Sequence, residues 1–252
     1  MKKTIFFIIL GVVTVGCIIF GTVKHVGGGL GPLHLMGIYE SDDGEAGDVN
    51  FDFHWKYDNE EGSDSDFSIN QILEKFSSIK IDGTIMDLTI EEGTQFKIES
   101  KFNKALLRPS YSVKNGVLEI TQQKKKGPRT GSNTCKVVIT IPSGTDLSRL
   151  NINVNVGDVK IRELTAKEIN ATVNVGEINI RKADFDELSA ETNVGEIDID
   201  TDGKFGEYSI NVSTDVGEVS VDHQKFKRHY NSHVSGSKKI TANTNVGEVS
   251  VR

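Results

Sequence analysis

The stretch that decides the fold is NVGEIDI, residues 193–199, because four close copies of it occur elsewhere in the chain. The copies are NVGDVKI from residue 155, NVGEINI from 174, DVGEVSV from 215 and NVGEVSV from 245. Their glycines follow one another at spacings of 19, 19, 22 and 30 residues. A period near twenty, with strand-like residues on both sides of the glycine, predicts one stacked two-strand unit per repeat.

The apolar residues change parity inside each copy. In the first copy, those before Gly157 occupy even positions and end with Val156, whereas those after it, Val159 and Ile161, occupy odd positions. Side chains alternate between the faces of a strand, so the switch predicts a corner that keeps both strands facing one interior. At this corner we expect glycine to adopt a positive φ or to allow close backbone approach. The corner residues are Gly157, Gly176, Gly195, Gly217 and Gly247, and the valine before each belongs to the inward-facing set (Val156, Val175, Val194, Val216 and Val246).

These patterns predict an all-β protein with a β-solenoid domain over residues 75–252 and a period of about 19–22 residues. Regular repeats occupy residues 150–252, and IMDLTI at 85–90 is a degenerate copy with Met86 in place of the glycine. An antiparallel sandwich is the alternative, but it would not need a corner at the same place in every repeat.

Residues 1–24 are predicted to be an N-terminal transmembrane helix that anchors the chain. Lys2 and Lys3 precede twenty uncharged residues, Thr4 to Val23, and a helix of that length crosses roughly 30 Å of hydrocarbon. The positive-inside rule then predicts a single-pass cell-membrane protein with an extracytoplasmic C-terminal domain. A cleaved signal peptide and a lipoprotein modified at Cys17 are the alternatives. No clear small-x-small cleavage site is present, and the residues after Cys17 stay apolar.

Residues 25–74 are predicted to be an acidic, glycine-containing linker. Residues 40–66 carry eleven acids and one base, Lys56. Within the linker, VNFDFHWKY at 49–57 alternates apolar and polar residues, which predicts one amphipathic aromatic strand. This strand either packs on the solenoid or forms its own hairpin, or else it docks on a partner or at the membrane interface.

A strand that ends in TIP at 140–142, an L-x-x-L-x-I run at 147–152 and the repeated G-[DE]-[VI]-x-[VI] units together resemble the bacterial putative-adhesin domain family. The resemblance covers roughly residues 75–252. It implies an envelope-associated, membrane-anchored β-solenoid that is surface-exposed and non-enzymatic, and some relatives are linked to envelope-stress responses. It carries over no catalytic residues.

Stacked coils place equivalent residues in columns about 4.8 Å apart. The predicted binding surface consists of a polar column and an acidic column: Asn155, Asn174, Asn193, Asp215 and Asn245, beside Asp158, Glu177, Glu196, Glu218 and Glu248. We interpret it as a solvated edge whose asparagine ladder supports the turn. The alternative is a Ca²⁺ site, since Ca²⁺ takes six to eight oxygen ligands. The pattern of calcium-binding nonapeptide repeats is absent from the sequence, so we predict no metal and no cofactor.

Residues 222–239 lengthen the last repeat and contain His223, His229 and His233. If this segment were helical, His229 and His233 would lie on one face and could bind a transition metal as a pair. No nearby cysteine or well-placed carboxylate completes a tetrahedral set of ligands. The favoured interpretation is a basic surface loop that meets anionic lipid or wall polymer. The last repeat ends at Val251, so we expect it to end the stack. This end is then covered by the 222–239 segment or the 49–57 strand, or it mediates self-association through the C-terminal coil.

The sequence contains no nucleophile elbow, phosphate-binding loop, CxxC pair or zinc-protease motif, and no uniform basic surface that would favour nucleic acid. We therefore predict a non-enzymatic, membrane-tethered extracytoplasmic adhesion or interaction module. Its expected partners are cell-wall polymer, anionic lipid or an envelope protein. An envelope-stress accessory or regulatory protein, with the solenoid as its ligand-sensing platform, is the alternative.

Overall fold

The computed structural model describes residues 67–122, 133–201, 205–235 and 238–252. The predicted anchor, the 49–57 strand and most of the linker lie outside these ranges. The described residues form two 3-10 turns, Ala105–Leu107 and Phe205–Glu207, and nineteen strands. The strands are β1 (Phe67–Ile72), β2 (Ser78–Ile85), β3 (Asp87–Gly93), β4 (Lys97–Phe102), β5 (Pro109–Lys114), β6 (Val117–Gln122), β7 (Cys135–Pro142), β8 (Asp146–Val156), β9 (Val159–Arg162), β10 (Thr165–Val175), β11 (Ile178–Arg181), β12 (Asp184–Val194), β13 (Ile197–Asp200), β14 (Tyr208–Val216), β15 (Val219–Val221), β16 (Gln224–Phe226), β17 (His229–Ser232), β18 (Lys238–Val246) and β19 (Val249–Val251).

The strands form two sheets that enclose one core. The first has the order β1-β4-β7-β3-β9-β11-β13-β19-β15-β16, and the second has the order β17-β14-β18-β12-β10-β8-β2-β6-β5. Seven pairs of strands that are consecutive in sequence contribute one strand to each sheet and stack in parallel register on their neighbours: β6–β7, and six pairs that are joined by a tight corner. The all-β prediction is confirmed, and so is the two-strand repeat.

Each of the six coils that has a tight corner is named here by its corner residue. They are the Met86 coil (β2–β3), the Gly157 coil (β8–β9), the Gly176 coil (β10–β11), the Gly195 coil (β12–β13), the Gly217 coil (β14–β15) and the Gly247 coil (β18–β19). The side chains that face the interior are nearly all aliphatic, and those of Ile152, Val154, Val159 and Ile161 are no more than 1 % exposed. Burial of such aliphatic columns between the sheets is the main stabilising term of the fold.

The corner glycines have both predicted properties, a positive φ and a close approach to a neighbouring backbone. Their φ angles lie between +135° and +152°, a region that side chains of L-residues rarely adopt. A β-carbon on Gly176 would lie 2.1 Å from the carbonyl oxygen of Gly157, because the corners of adjacent coils are in backbone contact. Met86 is the exception: its φ is not positive, and its buried side chain packs beside Gly83.

The predicted inward position of the corner valines is wrong. Val156, Val175, Val194 and Val216 are 37–43 % exposed, and Val246 is half-buried. At the corner, backbone packs directly on backbone, so no interior remains for a side chain next to the glycine. The buried column therefore ends one alternation earlier, as at Val154 in the Gly157 coil.

A second corner follows each short strand of the Gly157 and Gly176 coils. Here the left-handed residues are not glycines but Glu163 (φ 51°) and Lys182 (φ 52°), and their side chains form an ion pair of 3.1 Å between the two coils. The parity pattern did not predict this corner, since charged residues at a left-handed position give no apolar signal.

The Gly247 coil does not end the stack. β18 pairs with β12 on one side and with β14 on the other, and β19 lies likewise between β13 and β15. The last repeat is therefore inserted between the third and fourth repeats of the sequence. The expectation that the C-terminal coil offers a free edge for self-association is wrong, because both of its strands are paired on both sides.

The Gly217 coil is the last coil at one end of the stack. The segment that follows β15 covers this end. β16 pairs antiparallel with β15 and β17 pairs antiparallel with β14. A two-residue turn at Asp222-His223, with positive φ at both residues, reverses the chain as such hairpin turns do. The rings of Phe226 and Tyr230 lie 4.7 Å apart and pack against the core. The segment after β15 thus covers one end of the stack, as predicted, but it does so on the Gly217 coil and not on the C-terminal coil.

On the other side of the Met86 coil lies one further parallel pair of strands, β6 and β7, and Gln122 at the end of β6 satisfies backbone groups of the Met86 coil. The Gln122 side-chain oxygen accepts hydrogen bonds from the N–H groups of Thr84 (2.9 Å) and Ile85 (3.0 Å). Its amide nitrogen donates to the carbonyl of Leu107 at 2.7 Å. Gln122 is only 5 % exposed, so one buried side chain fulfils three backbone hydrogen-bonding requirements where the pairing of β6 with β2 ends.

Candidate functional site: the corner edge

The corner edge is the surface formed by three parallel columns of side chains at the glycine corners. It comprises the predicted polar column, the exposed valine column and the predicted acidic column. Along the stack the coils run in the order Gly157, Gly176, Gly195, Gly247 and Gly217. The structure therefore brings all ten predicted site residues to one edge, but exchanges the last two repeats relative to the sequence.

The polar column is a ladder of side-chain amides. Asn174 donates to Asn155 at 3.1 Å, Asn193 donates to Asn174 at 2.5 Å, and Asn245 donates to Asn193 at 2.9 Å. Asp215 occupies the next position, since β14 and β18 are in register on both sides of it. The ladder fixes the orientation of each amide and leaves the outer faces of the exposed asparagines available to a partner.

The acidic column follows the same order, because the backbone of each coil bonds to that of the next. The carbonyl of Glu177 accepts from Val159, and that of Glu196 accepts from Ile178. The aspartate of the column has an additional structural role: the Asp158 carboxylate accepts a hydrogen bond of 3.2 Å from the backbone N–H of Glu177. The longer glutamate side chains extend into solvent, where Glu177 and Glu196 are exposed.

Lysines neutralise the two ends of the acidic column. Lys160 lies 3.9 Å from Asp158, and Lys225 lies 2.6 Å from Glu218. The hydrogen bond to Glu218 and its charge raise the pKa of Lys225. Within the described ranges no ion pair is formed by the three glutamates in the middle, Glu177, Glu196 and Glu248. The centre of the edge is thus acidic, and the charge of Glu248 contributes to the raised pKa of Lys225.

The valine column lies between the polar and acidic columns and gives the edge an apolar strip. This strip was missed in the sequence, because alternation alone assigned these residues to the core. Two residues before each corner valine lies a buried residue. It is valine in the Gly157 and Gly176 coils and threonine in the Gly195, Gly247 and Gly217 coils. Thr192 donates to Thr244 at 2.7 Å, and Thr214 donates to the carbonyl of Gly247 at 3.0 Å. These hydroxyls tie the side chains to the corner backbone and stiffen the edge.

The histidines of the capping segment are separated. His223 lies in the turn, His229 lies in β17, and His233 follows β17; none is in a helix. Among the described residues, no group of three or more histidine, cysteine or acidic side chains is arranged to hold a metal ion. The same residues include no helix long and apolar enough to cross a bilayer.

Comparison with known proteins was made for sequence and for fold. The model of the Toastrack DUF4097 family matches residues 76–201 and 146–252. No curated protein matches the chain significantly. A solved structure with a similar fold is that of a "putative cell adhesion protein" from Clostridium sporogenes, with a TM-score of 0.58 and 16 % identity, covering 74 % of this chain and 99 % of that one.

Two further solved structures are more distant. They are a "putative adhesin" from Bacteroides fragilis (TM-score 0.38, 16 % identity, 75 % of this chain and 98 % of that one) and one from Parabacteroides distasonis (TM-score 0.33, 13 % identity, 75 % and 97 %). The family match extends over well over half of the chain, and it covers all five regular repeats and the degenerate one. The chain therefore belongs to the Toastrack DUF4097 family.

Proposed function

We propose that this protein is an extracytoplasmic adhesion or interaction module, tethered to the cell membrane by residues 4–23, whose corner edge binds a repeating cell-wall polymer. The observation that carries the proposal is repetition. The same valine and carboxylate positions recur on five neighbouring coils and the amide position recurs on four of them, and the amide ladder and the backbone contacts between corner glycines hold them rigid.

A rigid periodic surface suits a periodic partner. Each coil offers one weak contact, and several contacts engaged on one polymer chain raise the overall affinity without any deep pocket. The exposed glutamates and asparagines are hydrogen-bonding partners for hydroxyl and ammonium groups of such a polymer. The proposal is supported by the name of the C. sporogenes protein, which has a similar fold, and by the absence of catalytic motifs from the sequence.

The test is a pull-down of the full chain, solubilised in mild detergent, with three probes: isolated cell-wall polymer, vesicles of anionic lipid, and solubilised envelope proteins. The edge variant replaces Glu177, Glu196 and Glu248 with Gln. The control variant replaces three other exposed glutamates, Glu74, Glu92 and Glu207, with Gln. Both variants change the net charge equally, so a difference between them reports on the location of the charges.

We expect the parent and the control variant to bind the wall polymer, and the edge variant to lose at least tenfold in affinity. Capture of an envelope protein without polymer binding would overturn the proposal and support the stress-accessory alternative. Binding to lipid vesicles alone would also overturn it. Equal polymer binding by the edge and control variants would exclude the corner edge as the binding surface.

A further inference from the structure

A groove of about 410 Å³ lies on the outer face of the nine-stranded sheet, at the capped end of the stack. Its floor is formed by the outward side chains of β14 and β18, and one wall is formed by the end of β17 and the residues after it. The groove is separate from the corner edge, since none of the ten residues of the polar and acidic columns lines it.

The wall of the groove is held by side-chain to backbone bonds. The hydroxyl of Ser209 donates to the carbonyl of Val234 at 3.1 Å and accepts from its N–H at 2.9 Å. The hydroxyl of Ser232 accepts from the N–H of Ile210 at 3.3 Å. These bonds attach the segment after β17 to the face of β14, so the concavity is formed before any ligand binds.

The lining combines an apolar surface, to which the exposed Val234 contributes, with polar and cationic side chains. Lys239 and His233 supply basic groups, Asn211 and Asn231 supply amides, and Thr241 supplies a hydroxyl, whereas no carboxylate lines the groove. Glu187 is the neighbour of Lys239 on β12, but within the described ranges Lys239 forms no ion pair. The Lys239 ammonium is therefore available to an anion, and the amides are available to hydroxyl groups.

We propose that this groove binds one anionic saccharide unit, a sugar ring that carries a carboxylate or a phosphate. Lys239 and His233 contact the anion, and Asn211, Asn231 and Thr241 contact the hydroxyls of the ring. The volume lies within the range of small-molecule sites, about 300–1,000 Å³. A mainly apolar concavity with a few converging polar groups is the usual form of a small-molecule site, and the apolar part of the lining can contact the C–H face of a sugar ring. The inference rests on the proposed function for the kind of ligand, a wall saccharide, but it assigns that ligand a second site, apart from the corner edge.

The test is a ligand-observed NMR titration of the full chain in mild detergent with three sugars. N-acetylglucosamine is neutral, N-acetylmuramic acid adds a carboxylate, and N-acetylglucosamine 6-phosphate adds a phosphate. Lys239→Gln removes the central cation of the groove. Lys227→Gln is the matched control, because Lys227 is an exposed lysine of the capping segment that does not line the groove.

We expect at least one anionic sugar to bind at least tenfold more tightly than the neutral sugar, and its identity will distinguish carboxylate from phosphate. Lys239→Gln should weaken that binding at least fivefold and Lys227→Gln less than twofold. Equal binding of all three sugars, no binding of any, or equal effects of the two substitutions would overturn the inference. If polymer capture survives in Lys239→Gln while the titration fails, only the inference about the groove is wrong and the proposed function stands.

Discussion

The carbonyl oxygen of Gly195 lies 1.8 Å from the position that a β-carbon on Gly247 would occupy, although 52 residues separate the two glycines. The N–H of Gly195 in turn donates to the carbonyl of Val246 at 3.0 Å. Two repeats that are not consecutive in sequence thus pack as directly as any consecutive pair. A β-carbon is excluded at this corner both by φ and by the neighbouring coil.

Three glycine-to-alanine substitutions separate these two effects. Gly247→Ala encounters both the positive φ of +145° and the backbone contact, Gly144→Ala encounters a φ of +75° with nothing within 4 Å, and Gly206→Ala encounters neither. We expect losses in the free energy of unfolding of roughly 3 kcal/mol or more for Gly247→Ala, about 1 kcal/mol for Gly144→Ala and less than about 0.5 kcal/mol for Gly206→Ala. Urea denaturation measures all three, and equal losses at Gly247 and Gly144 would show that the corners are not in contact.

Gln122 tests how the backbone of β2 is satisfied where its pairing with β6 ends. Gln122→Met keeps the length of the side chain but leaves two N–H groups and one carbonyl without their partner, so we expect a loss of roughly 2–4 kcal/mol. Gln71→Met, on an exposed position of β1, should change stability by less than about 0.5 kcal/mol. Thermal unfolding of the two variants provides the comparison, and a fully stable Gln122→Met protein would contradict the role given to this side chain.

The sequence predicted the repeat unit well, because Gly157 and its counterparts mark the corner and parity assigns residues such as Val154 to the interior. It did not predict the spatial order of the coils. Parallel neighbours of one repeat present nearly identical faces, so β18 fits beside β12 as well as β14 would, and pattern alone cannot distinguish the two. The spacing of 30 residues between Gly217 and Gly247 reflects this insertion. After the Gly217 coil, which lies at the end of the stack, the chain forms the capping strands β16 and β17 and only then forms β18 beside β12.

Two local features were missed for other reasons. The Asn115-Gly116 turn between β5 and β6, with positive φ at both residues, carries the usual Asn-Gly hairpin signal and was open to prediction. Gln122 was not, because a single polar residue at the end of a strand gives no pattern. The exposed valines of the corner edge were misplaced because alternation does not show where backbone contact ends the interior.

A pair of valines in the Gly176 coil measures where that interior ends. Val173 is fully buried and Val175 is 43 % exposed, although both have the same parity. We expect Val173→Ser to lower the free energy of unfolding by roughly 2–4 kcal/mol and Val175→Ser to lower it by less than about 1 kcal/mol. Chemical denaturation of the two variants decides between an inward and an exposed placement of the corner valines. Similarly large losses of unfolding free energy in both variants would show that Val175 faces the interior.

Cys135 should make stability fall at alkaline pH. Burial raises the pKa of its thiol from 9.0 to about 11, so between these values the unfolded chain releases the proton first. The unfolded state then binds fewer protons, and stability decreases as pH rises, by about 1.3 kcal/mol from pH 8 to pH 10 for this group. Cys135→Ala should show a correspondingly shallower decline. If urea denaturation showed the same change of stability with pH in parent and variant, the burial of the Cys135 thiol would be contradicted.

The inserted coil is the central structural claim, and disulfide trapping tests it most directly. Asn243 in β18 is the register partner of Glu191 in β12 and of Ser213 in β14, and adjacent strands bring α-carbons within the 4.4–6.8 Å that a disulfide needs. Three double-cysteine variants of the full chain, each with Cys17→Ser, are oxidised under native conditions and mapped by mass spectrometry. The account predicts that the 191–243 and 213–243 pairs form disulfides and that the 191–213 pair, two strands apart, does not. Efficient formation of the 191–213 disulfide without the 191–243 disulfide would show that the coils stack in sequence order and would contradict the account.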